Sequence, residues 1–180
     1  MSSGHCVVAV AFSTVHTGLP KHTKSFITLI PKVGVEDDCH AGDTRRQVSL
    51  LQIESLEELN DRNNRVDCIL PSQLGENITT KGLNLAGLKQ GTKLRFNNGN
   101  SEQNGAVIEI SGLRRAGDKL ENRQSGLKER CTVKDPSGTE VSSKVGVFGI
   151  VIVGGVVKPG MGIAVEVPGG EEELEPLEFI

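Results

Sequence analysis

Two carboxylates, a thiol and an imidazole stand consecutively at Asp37, Asp38, Cys39 and His40, in a segment bounded by Gly34 and Gly42. Such groups on a glycine-flanked loop can bind a metal, transfer protons, or hold a polar ligand. Arg46 and Gln47 follow closely; a guanidinium entering a pocket grips phosphate through two parallel hydrogen bonds, whereas on a surface it pairs with nearby acids. Glu76 and Asn77 are adjacent. A carboxylate accepts paired N–H groups and an amide both donates and accepts, so the pair suits either ligand reading or the satisfaction of buried backbone. Arg114 adds another guanidinium, and Cys131 lies among Lys128, Arg130 and Lys134, cations of the kind that lower a thiol pKa. Asp38, His40 and Glu76 together would also serve a metal-dependent hydrolase, although three scattered ligands are a weak pattern for one.

The elements that must position these groups are short. Residues 7–12, 26–30, 47–51, 76–79, 93–96, 106–110, 145–153, 156–157 and 163–167 read as strands from their β-branched and apolar content. The run 145–153 is nearly continuous and reads as a strand buried on both faces. Ile53, Leu56 and Leu59 recur at helical spacing among glutamates, which predicts an amphipathic helix ending over 60–64. Residues 125–131 predict a second helix with Ser125 as N-cap. Segment 34–44 reads as a loop, 97–105 as a long hairpin loop, and 135–138 as a turn. Many short strands with 22 glycines in 180 residues predict a mostly β barrel with a few peripheral helices. That domain covers 1–168, and the acidic, proline-interrupted tail 169–180 is expected to be mobile or draped over the surface.

Composition narrows the partners. A net charge of -3 and the absence of Trp and Tyr argue against nucleic acid. The four cysteines form no Cys-x-x-Cys pair, which fits reduced thiols and a cytoplasmic location. The longest apolar run near the N-terminus is too short for a signal-peptide core or a membrane span, so no membrane partner is expected.

Taken in order, these segments resemble the MOSC family, the domain related to the C-terminal part of molybdenum cofactor sulfurases. Residues 34–42 are similar to its Gly-Val-Glu-Gly-Asp-x-His-Ala-Gly, with Asp37 in place of the second glycine. Asp adopts left-handed backbone angles more readily than most residues, so the exchange is compatible with the same turn. Arg46, Gln47 and Val48 match the family's Arg-Gln-Val, residues 75–79 its Gly-Glu-Asn-Ile-Thr, and residues 154–160 its closing Gly-Gly-x-Val-x-Pro-Gly. Only Asp43, Thr44 and Arg45 bridge His-Ala-Gly and Arg-Gln, where close relatives carry a longer basic insertion. Gly112, Leu113 and Arg114 resemble the family's Gly-Leu-Arg-x-Pro-Cys, but Gly117 stands where its cysteine belongs.

The resemblance implies a stand-alone MOSC-type β-barrel that binds molybdenum cofactor (molybdopterin) or a related pterin or phosphate-bearing small molecule. Asp38, His40, Arg46, Gln47, Glu76, Asn77 and Arg114 are the implied binding residues, with Glu76 and Asn77 at the pterin edge. Molybdenum-dependent oxidoreductase or sulfur-carrier activity is implied too, and for this Cys131 or Cys39 would have to replace the missing thiol. No pyridoxal phosphate is expected on this chain; a separate cysteine desulfurase would supply that chemistry. The alternative is a degenerate, non-catalytic homologue acting as a ligand-binding or protein-interaction module.

Overall fold

The computed structural model describes residues 4–16, 19–61, 68–98, 105–169 and 175–180. The expected helix stop at 60–64 and the hairpin loop at 97–105 fall largely outside them. Seven strands close into a barrel: β1 (Cys6–Phe12), β5 (Val48–Gln52), β6 (Ile78–Lys81), β7 (Lys93–Asn97), β8 (Val107–Leu113), β11 (Val147–Val153) and β13 (Gly162–Glu166). Their order is β13-β7-β8-β11-β5-β6-β1, and the pairing of Cys6 with Gly162 joins β1 back to β13. Closure removes the exposed edges that a sheet this glycine-rich would otherwise leave. All neighbouring barrel strands run antiparallel except β5 and β6, whose parallel pairing follows from the crossover through helix α1 (Ile53–Asp61).

A short strand β2 (His22–Lys24) lies beside the end of β1. Strands β3 (Ile27–Ile30), β4 (Gly34–Val35) and β12 (Gly155–Val157) form a second, three-stranded sheet, and β9 (Thr132–Lys134) pairs with β10 (Glu140–Ser143). Two further helices, α2 (Asp118–Arg123) and α3 (Leu127–Cys131), and a single 3-10 turn at Leu85–Gly87 complete the described elements.

The barrel interior is filled by Val10, Leu50, Ile78, Leu94, Phe96, Ile108, Val147 and Ile163, alternating along their strands as a one-sided barrel wall requires. A smaller apolar cluster outside it packs α1, α2 and α3 through Leu56, Leu59, Leu120, Leu127 and Cys131 against Leu51 and Val145. Strand β11 passes close over β5 at Gly146. That residue has φ 85°, and a Cβ there would lie 1.9 Å from the Leu50 carbonyl oxygen, so only glycine fits.

Three expectations are corrected. The run 145–153 is not buried on both faces: β11 alternates, and Ile152 and Val153 at its end are exposed, because only one face meets the barrel interior. Helix α3 begins after Gly126, not Ser125, and Gly126 takes the left-handed conformation at φ 75°. Helix α2 and strand β2 carry too few apolar residues to signal themselves by period. Within 34–44, Gly34–Val35 pairs with β3 and is a strand. At the C-terminus, residues 175–180 drape against β8: Leu113 pairs with Phe179, Leu177 is buried in the barrel core, and the Arg115 guanidinium sits 4.2 Å from the Phe179 ring centre.

Candidate functional site

One row of paired residues runs around the barrel through Val10, Ile78, Leu50, Val147 and Leu113. The next row on one side brings Ala11, Asn77, Ser49 and Phe148 together. Ala11 N donates to Asn77 O at 2.8 Å, Asn77 N to Ser49 O at 2.8 Å, and Ser49 pairs with Phe148. Arg114 follows Leu113 on the other side. Registry thus sets Asn77 beside Ala11 and Ser49; Asp38 joins this row through its hydrogen bond to Asn77, and Arg114, on the other side, reaches Leu74 O.

The centre of the site is Asp38, which is buried. Its Oδ2 accepts from Lys21 Nζ and from Asn77 Nδ2, each at 2.6 Å; its Oδ1 accepts from the His40 backbone N–H at 2.9 Å and lies 3.3 Å from His40 Nδ1. The turn that aims it is made by Asp37 at φ 62°, the left-handed angle expected of a glycine replacement. Burial by itself would raise the Asp38 pKa, but Lys21 and the hydrogen bonds from His40 and Asn77 outweigh it and hold the carboxyl below its ordinary value. Burial lowers the Lys21 pKa, with the Asp38 carboxylate opposing.

Asn77 is fully committed. Its Oδ1 accepts from Ser49 N and Ser49 Oγ, and its Nδ2 donates to Ala11 O as well as to Asp38. An amide with two acceptor sites and two donors has no further capacity. Asn77 therefore ties β1, β5 and the Asp38 loop together and has no free group for a pterin edge. Glu76 is wholly buried; its Oε1 accepts from Ser72 N and Thr79 Oγ1, while Oε2 has no partner. The same interior houses the part-buried Arg114, whose Nη2 donates to Leu74 O at 2.6 Å and whose Nη1 donates to Val145 O at 3.4 Å. Burial lowers the Arg114 pKa and the Glu76 carboxylate counters it. Gly75, at φ 83°, permits this approach, since a Cβ there would stand 3.1 Å from Arg114 Nη2.

Arg46 and Arg114, distant in sequence, share one aromatic ring. Their guanidinium carbons lie 5.8 Å and 6.0 Å from the centre of Phe148. Arg46 is exposed and forms no side-chain ion pair among the described residues. Arg45 differs: its Nη2 donates to Ser111 O at 2.8 Å. Gln47 is structural, its Oε1 accepting from Val151 N at 2.9 Å to join β5 to β11.

The cysteines do not behave alike. Cys131 is buried, and burial pushes its thiol up to about 11 although Arg130, Lys144 and Arg114 pull the other way. The expected lowering by neighbouring cations does not occur; desolvation wins. Cys39 is half-buried at the mouth of the site, 3.1 Å from His40 Nδ1, and burial followed by the Asp38 charge raises its pKa. Burial and Lys21 lower the His40 pKa.

The MOSC domain model matches residues 36–166, a span that holds Asp38, Arg46, Glu76, Asn77 and Arg114. The chain belongs to the MOSC domain family. Among solved structures, the YuaD protein from Bacillus subtilis superposes with a TM-score of 0.69 at 19% identity, covering 94% of this chain and 100% of that one. The YiiM proteins of Geobacillus stearothermophilus and Escherichia coli give TM-scores of 0.64 and 0.63, each at 18% identity. They cover 90% and 92% of this chain, and 75% and 72% of their own. At these identities the likeness fixes the barrel and not the chemistry. No protein of curated function matches the chain.

In this MOSC barrel Gly117 is exposed at the N-cap of α2, and a Cβ placed there would meet nothing within 4 Å. The position is open to a side chain and carries none. Lys21, Ser49 and Phe148 belong to the site and were not singled out from the sequence. Only Lys21 left a trace, as a cation in a polar segment after Pro20. No helix among the described residues is long and apolar enough to cross a membrane.

Proposed function

We propose that this MOSC-domain protein binds molybdenum cofactor or a related phosphorylated pterin, with the phosphate end of the ligand held between Arg46 and Arg114. The observation that carries this reading is the convergence of two guanidiniums on Phe148, one of them exposed and without an ion pair among the described residues. Such a pair suits a dianion: the exposed Arg46 can meet it with two N–H groups, while Arg114, whose Nη1 and Nη2 already donate to Val145 O and Leu74 O, adds its charge. Lys21 adds positive charge near Arg114, partly offset by Asp38. Asp38 and Asn77 act as positioning residues, since their polar atoms are spent on Lys21, Ser49, Ala11 and His40. Glu76, with one orphaned oxygen, opposes the loss of charge that burial favours at Arg114.

The residues present fit the phosphate end of the cofactor better than its metal end. When bound, the cofactor supplies redox or sulfur-transfer chemistry; the chain's own part is to bind and orient it. A thiolate for molybdenum is missing at Gly117, and the Cys131 thiol is buried with a raised pKa, which favours a second reading as a carrier or binding module without catalysis.

The test is molybdenum and pterin content of protein purified from a host that makes the cofactor, by elemental mass spectrometry and oxidised-pterin fluorescence. Molybdenum with pterin supports cofactor binding. Pterin without metal supports the carrier, and neither removes the proposal.

A further inference from the structure

A second group of side chains lies next to Asp38. Cys39 Sγ lies 3.1 Å from His40 Nδ1, and the His16 and His40 rings meet edge to face with centres 5.0 Å apart. One ligand atom from each of His16, Cys39 and His40 falls within 4.8 Å of the other two. We infer that His16, Cys39 and His40 form a binding site for a divalent transition-metal ion of the zinc class.

The geometry is near what such an ion requires. Zinc bonds of about 2.0–2.1 Å to nitrogen and 2.3 Å to sulfur, set tetrahedrally, space the donor atoms about 3.3–3.6 Å apart. The three groups reach that spacing by closing on a common point by about 1.5 Å or less. His16 and His40 are both exposed, which leaves room for this movement. A two-nitrogen, one-sulfur donor set is too soft for magnesium or calcium and suits zinc. A His40 that ligates through Nε2 keeps its Nδ1–H for Asp38 Oδ1, 3.3 Å away, and Asp38 is itself fixed by Lys21 and Asn77. Cys39 binds as thiolate, its proton passing to solvent. Three protein ligands, two of them exposed, leave the fourth position to water or an exchangeable small ligand.

The site uses neither Arg46 nor Arg114, so it goes beyond the pterin reading and its test needs no pterin. Metal-free protein is titrated with cobalt(II), which reports tetrahedral thiolate coordination by its visible and near-ultraviolet absorption, and then with zinc(II) as competitor. The expected result is one equivalent of cobalt with a thiolate charge-transfer band that zinc abolishes. That band is lost in Cys39→Ser and kept in Cys68→Ser, and His16→Ala and His40→Ala each weaken binding about tenfold or more. No band in the wild type, a band that survives Cys39→Ser, or affinities unchanged in both histidine variants would overturn the site.

Discussion

Lys21 Nζ and Asp38 Oδ2 lie 2.6 Å apart with both side chains buried, joining a segment before β2 to the loop after β4. Removing one partner strands the other charge away from water. Lys21→Met is expected to destabilise the fold by about 3–5 kcal/mol, and adding Asp38→Leu to recover part of that loss. Urea unfolding of the single and double variants checks it; equal stability of Lys21→Met and wild type would show that the pair does not hold the loop.

Asp38 also sets an acid limit. Its folded pKa lies below the ordinary carboxylate value, so its contribution to stability is complete above that value and is lost as pH falls through the lower folded one. Unfolding free energy should therefore decline below about pH 4. In Asp38→Asn the decline should be shallower, as read by thermal melts across that range.

Arg46 and Asn77 separate binding from folding. Asn77→Ala removes the four side-chain bonds that the amide makes to Ser49, Ala11 and Asp38, and is expected to cost about 2–4 kcal/mol. Arg46→Ala, at an exposed position, should change stability by less than about 0.5 kcal/mol. Calorimetric melting of the two variants distinguishes a positioning amide from a ligand-facing guanidinium.

How far this arrangement was legible in the sequence depends on the kind of contact. Asp38, Glu76, Asn77 and Arg114 stand in local motifs, so each could be singled out as a candidate, and the strand pattern was enough for the barrel. Lys21 reaches Asp38 only through the closed fold, and Phe148 read as one more apolar residue in a strand until β11 laid it beside Ser49. Asn77 was a candidate ligand reader because an amide's partners cannot be read from its neighbours; the structure shows them all supplied internally. The tail drapes on β8 over 175–180; what its acidic composition hid is that Leu177 and Phe179 dock on the core and on Arg115.

Cys131 should be a slow thiol. With a pKa of about 11 and no exposure, its thiolate fraction near neutral pH is about one part in ten thousand. Mass-spectrometric timing of iodoacetamide labelling should find exposed Cys68 modified well before Cys131. Rapid Cys131 labelling in the folded protein would restore it as a candidate nucleophile.

Leu177 anchors the C-terminus in the barrel core. Leu177→Ala is expected to cost about 2–3 kcal/mol in urea unfolding. An unchanged midpoint would mean that the tail adds no stability.

The most direct measurement of the central claim is pterin stoichiometry in wild type and Arg46→Ala, purified side by side from a cofactor-producing host and compared at equal melting temperature. The proposal requires near-stoichiometric pterin in the wild type and about tenfold less in Arg46→Ala, the loss expected for a charged hydrogen bond to phosphate. No pterin in the wild type, or equal retention in both, would contradict it.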